Sequence, residues 1–296
     1  MALWLLALVI AIPLGLDLYM PVPEGNPLSV ENVELGRRLF RDRRLSRDRS
    51  IACSSCHDPE RAFSDGRPVA IGIARQVGRR NAPALINRGY GRAFFWDGRA
   101  ATLEEQVLQP IQDPKEMDMT LAEVSERVGL PPREISRALA SYVRSILSGN
   151  SRVDRFANGD RRALSPEQRE GLRVFRGKGN CTSCHVGPNF TDERFHNTGI
   201  AWRDGSLQDG GRSAVTGKLD DRGAFKTPTL REIARTAPYM HDGSLLSLED
   251  VVEYYDRGGN ANPALDSELR PLELTASEKR SLVAFLRALS GTVSGR

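Results

Sequence analysis

The chain has 296 residues, of which 40% are apolar and 27% are charged, and its formal net charge is +4 at pH 7. This composition excludes a disordered or collagen-like chain, and the length suits two domains of ordinary size. Most basic residues are arginines, but no base-stacking or groove-reading motif accompanies them, so we predict no binding to nucleic acid.

The chain starts with an uncharged apolar segment, MALWLLALVIAIPLGL. Its 16 residues are fewer than the roughly 20 that a membrane span needs, but they match the apolar core of a secretory signal. The basic start and the small-residue cleavage site of such a signal are missing. We expect residues 1–21 to be a signal peptide or a retained N-terminal anchor, with a buried helix as a third alternative. The first two place the protein in a bacterial periplasm.

All four cysteines lie in two short motifs, CSSCH at 53–57 and CTSCH at 181–185. In C-x-x-C-H the two thiols form thioethers to a haem and the histidine binds its iron, so this spacing is typical of haem c attachment. A zinc site made from both cysteine pairs, or a redox-active dithiol, would leave both histidines without a role. We therefore predict two covalently bound haem c groups. Their attachment residues and proximal ligands would be Cys53, Cys56, His57, Cys181, Cys184 and His185.

The second half of the chain repeats the first. NAPAL at 81–85 matches KTPTL at 226–230, and WDGRAATLEEQV at 96–107 matches HDGSLLSLEDVV at 241–252, both at an offset of 145 residues. The haem motifs are 128 residues apart, so the second half has a net insertion of 17 residues after its motif. This pattern predicts a duplicated haem domain.

Three segments carry helical patterns. Residues 165–175 and 275–289 open with the capping boxes Ser-x-x-Gln and Thr-x-x-Glu. Residues 131–147 place apolar side chains at helical spacing. These are Ile135, Leu139, Tyr142, Val143 and Ile146. The sequence therefore predicts a mainly α protein.

Long loops rich in glycine and proline, at 58–95 and 186–238, separate the helical segments. Loops of this length are uncommon in compact domains unless they surround something, and haem is a suitable object. We predict two cytochrome c-like haem domains related by internal duplication, with long loops wrapping the haems. The N-terminal domain would cover residues 22–155 and the C-terminal domain residues 156–296.

Several further segments carry a family resemblance: RNAP at 80–83, FFWDGR at 94–99 and TAPYMHDGS at 236–244. With the two haem motifs, they resemble the bacterial di-haem cytochrome c peroxidases, and most of all the MauG-like branch, named for methylamine utilisation. The resemblance covers residues 22–290. It implies an oxidoreductase that reduces hydrogen peroxide at an N-terminal, peroxidatic haem, using electrons relayed through a C-terminal, electron-transfer haem.

The ligand on the second face of each iron bears on this function. Many members of the peroxidase family place a distal histidine shortly after the first haem motif, but here no histidine occurs between Asp58 and Cys184. We predict that the first haem has an open or water-occupied sixth position. Ligation by Met117, Met119 or a lysine is the alternative.

For the second haem the repeat supplies a candidate ligand. At the offset of 145, Tyr255 corresponds to Pro110. Proline has no side-chain ligand atom, whereas a tyrosine oxygen is a known haem ligand. The resemblance agrees, because MauG-like members carry a tyrosine in this helix where other peroxidases carry a methionine. We predict Tyr255 as the ligand; Met240, His196, His241 or simple packing of Tyr255 on the porphyrin are the alternatives.

The resemblance also implies catalytic roles. Glu116 would exchange a proton with bound peroxide, while Gln106 would orient the oxidant and Pro110 would keep the pocket tight. Trp96 matches a tryptophan that relays electrons between the two haems in relatives.

A calcium ion often lies between the haems in such relatives. Its oxygen ligands would be Asn81 and the backbone carbonyls of Thr236 and Pro238. The resemblance leaves N-terminal membrane association and a homodimer open.

The reductant separates three functions. A small periplasmic electron-transfer protein would make the enzyme a peroxidase, whereas a protein substrate would make it a MauG-like oxidase. Gly179 stands two residues before Cys181, where the MauG enzyme that matures a tryptophan-derived cofactor uses a surface tryptophan, which argues against the same exit route. A non-catalytic di-haem electron carrier would need both irons six-coordinate.

Overall fold

The computed structural model describes residues 10–295. Helices are its main elements, which confirms the predicted mainly α class. They are α1 (Val30–Phe40), α2 (Leu103–Gln106), α3 (Gln109–Gln112), α4 (Leu121–Val128), α5 (Pro132–Ser145), α6 (Arg152–Ala157), α7 (Pro166–Arg176), α8 (Ser213–Thr216), α9 (Leu248–Asp256) and α10 (Ala276–Arg287).

The strands in the described residues are two residues long and form antiparallel pairs. They are β1 (Ser148–Gly149), β2 (Phe195–His196), β3 (Trp202–Arg203), β4 (Ser206–Leu207), β5 (Phe225–Lys226) and β6 (Thr292–Val293). β1 pairs with β6, β2 with β5 and β3 with β4. The β1–β6 pair joins the linker between the halves to the C-terminal end of the chain.

The three helices predicted from local patterns are confirmed. Ser165 caps α7 and Thr275 caps α10, and each hydroxyl accepts a backbone N–H three residues on in a reciprocal capping box. The five apolar residues predicted to lie on one face of the helix at 131–147 are in α5 or directly after it, and each is at most 3% exposed. Amphipathic spacing and caps are short-range signals, so the sequence alone located these helices.

Each half is built on one crossing pair of helices, α1 with α5 and α7 with α10. The crossing points match: a Cβ on Gly36 would overlap the carbonyl oxygen of Ala138, and one on Gly171 would overlap that of Ser281. The aromatic pairs beside these glycines match too. They are Phe40–Tyr142 and Phe175–Phe285, each with ring centroids 5.0 Å apart.

The loops after the haem motifs keep the 145-residue offset. Phe94 forms an isolated bridge with Ala100, and Tyr239 forms the corresponding bridge with Leu245. The inserted residues of the second half fall between its haem motif and β5. This segment contains β2, β3, β4 and α8.

Of the predicted signal or anchor, residues 1–9 lie outside the described residues. From residue 10 to residue 21 the chain forms no helix, and it packs where the two halves meet. Leu14 and Asn150 exchange two hydrogen bonds, and Arg231 donates one to the carbonyl of Gly15 at 2.6 Å. No helix in the described part of the chain has the length and apolarity to cross a lipid bilayer.

The predicted junction between residues 155 and 156 falls inside α6.

Candidate active site

A cavity of about 810 Å³ is lined by residues from both halves. This volume is at the upper end of the range for ligand sites in proteins. Every residue that the sequence pointed to for haem attachment, catalysis or calcium binding lines this cavity. They are Cys53, Cys56, His57, Asn81, Trp96, Gln106, Pro110, Glu116, Cys181, Cys184, His185, Thr236, Pro238 and Tyr255.

The first haem motif forms a short 3₁₀ turn, Cys53–Ser55, that directs His57 into the cavity. The Nδ1–H of His57 donates to the carbonyl of Phe63 at 3.1 Å. Burial lowers the pKa of His57 to about 4, against the opposing effect of the Phe63 and Pro83 carbonyls. The imidazole is therefore neutral at pH 7, and the Nε2 lone pair is the one suited to bind a metal.

The second motif repeats this arrangement with a 3₁₀ turn at Cys181–Ser183. The Nδ1–H of His185 donates to the carbonyl of Phe190 at 2.8 Å, and burial lowers the pKa of His185. Both histidines thus have the orientation and charge state of proximal ligands.

The four thiols form two separate pairs rather than one metal site. Burial raises the pKa of Cys53 to about 12, that of Cys56 to about 11 and that of Cys181 to about 12, and a zinc ligand would have to be a thiolate. In the described part of the chain, one group of His, Cys, Asp and Glu side chains is close enough to share a metal ion. It consists of Cys184, Asp192 and His196, so the two cysteine pairs are not gathered into one zinc site. Two pairs of half-buried thiols, each followed by a neutral imidazole that lines this cavity, fit two haem c groups.

Glu116 follows α3 in a turn held at both ends. Its N–H donates to the carbonyl of Asp113 and its carbonyl accepts from the N–H of Ile73, each at 2.9 Å. Burial, helped by the charge of Asp113 and opposed by Arg99, raises the pKa of Glu116 to about 7. Such a carboxyl can both accept and release a proton near neutral pH.

The short helices α2 and α3 supply the neighbouring wall. Gln106 ends α2, Pro110 lies in the first turn of α3, and both line the cavity. The two methionines considered as ligands to the first haem, Met117 and Met119, are both buried in the N-terminal hydrophobic core, and Met117 also lines the cavity.

Tyr255 lies near the end of α9, a helix capped by Ser247. Burial, then Tyr254 and the two thiols of the second motif, raise the pKa of Tyr255 well above its ordinary value. A phenol in this setting stays neutral unless a cation stabilises its anion. Tyr254 instead donates its hydroxyl to the carbonyl of Thr198 at 2.7 Å. Met240, an alternative ligand, also lines the cavity.

The two remaining histidines have other contacts. His196 has both ring nitrogens engaged, Nδ1 with Asp266 at 2.6 Å and Nε2 with Asp192 at 3.0 Å. His241 is stacked on Phe225, with ring centroids 3.6 Å apart. These contacts favour Tyr255 over His196 as a ligand.

Trp96 is tied to segments from both halves. Its Nε1–H donates to the carbonyl of Asn81 at 2.9 Å, and its own carbonyl accepts from the N–H of Lys226 in β5 at 2.8 Å. The N–H of Asn81 in turn donates to the carbonyl of His241 at 2.7 Å. The indole is therefore fixed where the halves meet.

The predicted calcium ligands are in the same region. The side-chain amide nitrogen of Asn81 donates to the carbonyl of Arg67 at 2.7 Å, which leaves Oδ1 as the atom for another partner. Asn81, Thr236 and Pro238 all line the cavity, and calcium binding there stays a prediction.

Sequence reasoning missed a buried charged residue of the cavity, Lys226. Its Nζ is 3.7 Å from a carboxylate oxygen of Glu193, and burial lowers its pKa to about 7. The repeat could have pointed to this residue, because Lys226 corresponds to Asn81, which was predicted to be a site residue in the first half.

Comparisons with known proteins agree with this site. Residues 30–133 match the sequence model of the di-haem cytochrome c peroxidase family. The chain is 40% identical to the methylamine utilization protein MauG of Methylorubrum extorquens, over 91% of this chain and 81% of that protein. It is 36% identical to the cytochrome-c peroxidase IdrP2 of Denitromonas iodatirespirans, over 91% of this chain and 84% of that protein.

The fold matches the crystal structure of a MauG-like protein associated with microbial copper homeostasis. The TM-score is 0.86 at 34% identity, over 93% of this chain and 95% of that one. The resemblance drawn from the motifs is thus confirmed, and the chain belongs to the di-haem cytochrome c peroxidase family.

Proposed function

We propose that the protein is a di-haem peroxidase that reduces hydrogen peroxide at its N-terminal haem with electrons passing through its C-terminal haem. An oxidoreductase of the peroxidase type is what its family implies. The different roles of the two haems are inferred from a difference between the two sides of the cavity. One side presents Glu116 and Pro110, and the other presents Tyr255.

The two haem groups would be held by the four cysteines, with His57 and His185 as iron ligands. When bound, haem supplies redox-active iron at which peroxide is reduced. The protein contributes the orientation of both imidazoles, through the Nδ1–H bonds to Phe63 and Phe190.

On the first side, Glu116 acts as acid and base. Its carboxylate accepts a proton from incoming peroxide and returns it to the oxygen that leaves as water. Gln106 orients the oxidant by hydrogen bonding. Pro110 offers no ligand atom, which keeps this side open to small molecules.

On the second side, Tyr255 would bind the iron of the second haem together with His185. Trp96 connects the two sides as an electron relay, and its two backbone hydrogen bonds keep it rigid. We infer that the two halves arose by duplication, since helix crossings, bridges and proximal histidines correspond in both. The proximal geometry was kept while the distal side chains diverged.

The remaining partners are proposed at the level of their chemistry. The reductant is a small electron-transfer protein, and the compartment is the periplasm, where haem c proteins meet such donors. A calcium ion bound by Asn81 and the carbonyls of Thr236 and Pro238 would link the halves.

The test is ferric EPR spectroscopy of the purified holoprotein, followed by one equivalent of peroxide. We expect two haems, one high-spin and one low-spin, and rapid oxidation of both by that single equivalent. A purely low-spin spectrum that neither cyanide nor peroxide changes would instead identify an electron carrier.

A protein-modifying oxidase is the second candidate, favoured by the 40% identity to a MauG protein. Gly179 argues against the same exit route for oxidising equivalents. A Cβ at this position would lie 2.8 Å from the carbonyl oxygen of Val174, so a larger residue would need a backbone shift. Incubation with peroxide and mass spectrometry of co-purifying proteins would reveal a modified substrate.

A further inference from the structure

A second, smaller cavity of about 320 Å³ adjoins the outer side of Glu116. Five residues line both this cavity and the large one: Arg99, Pro110, Asp113, Pro114 and Glu116. Gln112 and Pro114 line the small cavity and are exposed at the protein surface. The small cavity therefore leads from solvent to the carboxylate that the proposed mechanism uses.

Arg99 forms one wall of this cavity and is held from three directions. Its Nε–H donates to the side chain of Gln109 at 3.1 Å, and Nη1 donates to the carboxylate of Asp97 at 3.1 Å. The guanidinium carbon lies 3.4 Å from the ring centroid of Phe95, a cation–π contact. Although the side chain is 36% exposed, these contacts give it one position.

The second half lacks this arginine although it keeps the turn. The N–H of Arg99 donates to Asp97 at 3.2 Å, and at the offset of 145 the N–H of Ser244 donates to Asp242 at 3.0 Å. The backbone turn therefore does not require an arginine. The arginine appears only in the half that carries Pro110 and Glu116.

We propose that the small cavity is the entrance through which small hydroperoxides reach the first haem, and that Arg99 is a positioning residue that keeps its inner wall in place. This inference rests on the proposed peroxidase function. Because Arg99 forms one wall of the entrance, its side chain would hinder a bulky alkyl hydroperoxide more than hydrogen peroxide. As a fixed cation, Arg99 would also favour the ionised form of Glu116 during entry.

Two variants act on the entrance in opposite ways. Gln112→Trp places a large side chain at its exposed mouth, and Arg99→Ala removes one wall. The matched control is Arg203→Ala, because Arg203 pairs with Asp242, the counterpart of Asp97, in the half without an entrance. Each holoprotein is mixed in a stopped-flow instrument with hydrogen peroxide, tert-butyl hydroperoxide or cyanide.

For Gln112→Trp we expect the association rate constants of peroxide and cyanide to fall roughly tenfold. Cyanide dissociation should slow by the same factor, because an obstruction on the path changes both rates and leaves the Kd unchanged. For Arg99→Ala, the rate with tert-butyl hydroperoxide relative to hydrogen peroxide should rise several-fold. Arg203→Ala should match the unmodified protein in every rate.

Cyanide separates this inference from the proposed function, since it binds iron without being reduced. A protein that binds cyanide but does not react with peroxide is no peroxidase, and its cyanide rates still test the entrance. Unchanged cyanide and peroxide rates in both variants would overturn the entrance. A changed cyanide Kd in Gln112→Trp would also overturn it, because it would mean damage to the pocket rather than obstruction of the path.

Discussion

The two halves of the molecule are alike in their haem motifs and differ in the other side chains that they contribute to the cavity. In each half a 3₁₀ turn carries the haem motif, and the histidine donates Nδ1–H to the carbonyl of a phenylalanine five or six residues later. The other cavity-lining side chains differ: the first half has Pro110 and Glu116, and the second half has Tyr255 at the position that corresponds to Pro110. The two halves therefore share the geometry of their motif histidines and differ in the side chains that are proposed to carry the chemistry.

The largest effect is expected from removing Tyr255, the proposed ligand of the second haem. In Tyr255→Phe we expect the low-spin ferric EPR signal of the second haem to disappear or change completely, and its reduction potential to rise, because an anionic oxygen favours ferric iron. Tyr254→Phe is the control. It loses a hydrogen bond to Thr198, worth about 1 kcal/mol of stability, and should keep the spectrum. An unchanged low-spin signal in Tyr255→Phe would remove the assignment.

The open side is tested at Glu116. Glu116→Gln should slow the reaction with peroxide by about 10² to 10⁴-fold, because the acid–base group is lost. In the unmodified protein the base form of Glu116 predominates above its pKa of about 7. The rate constant should therefore rise with pH through this region and level off above it.

Stopped-flow traces between pH 5 and 9 measure that profile. Glu116→Gln should remove its inflection, while Glu123→Gln, at an exposed N3 capping position, should preserve it. The same inflection in Glu116→Gln would assign the titration to another group.

The shared scaffold can be tested by matched substitutions at the two helix crossings. Gly36→Ala and Gly171→Ala should each destabilise the holoprotein by about 1–3 kcal/mol, because the added methyl overlaps a backbone carbonyl on the facing helix. Gly25→Ala is the control, since a Cβ there has no neighbour within 4 Å among the described residues. Urea unfolding measures all three. A large loss at only one crossing would mean that the halves do not share this contact.

The smallest expected effect concerns the connection between the halves. Trp96→Phe keeps an aromatic ring but loses the hydrogen bond to Asn81, so oxidation of the second haem should lag behind the first by roughly tenfold, about 1.4 kcal/mol in barrier height. Trp202→Phe is matched to it, because the buried Nε1 of Trp202 has no hydrogen-bond partner among the described residues. Simultaneous oxidation of both haems in Trp96→Phe, followed at their separate absorption bands, would exclude the relay.

Much of this site could be predicted from short-range patterns. Three kinds of feature depend on residues only a few positions apart, so the spacing along the chain is enough to predict them. They are the haem motifs, the helix caps at Ser165 and Thr275, and the row of apolar residues on α5. The offset of 145 residues also matched Tyr255 to Pro110, because the repeated segments run without a gap. These predictions concerned local geometry and the matching of positions between the two halves.

Other features depend on residues that only folding brings together. The Lys226–Glu193 pair and the bond from Lys226 to Trp96 join segments far apart in the sequence, and the packing of Leu14 against Asn150 joins the start of the chain to its middle. The position of the Arg99 side chain likewise depends on the ring of Phe95 and the carboxylate of Asp97, which contact it in the folded protein.

The sequence by itself therefore determined which cofactor is attached, how the helices begin and which positions of the two halves correspond, because each depends on spacing along the chain. Only the tertiary structure decided that all these residues line one cavity, that Glu116 is desolvated and that Glu116 also lines a second, smaller cavity. Burial and electrostatic environment are set by atoms distant in sequence, and no local pattern encodes their arrangement.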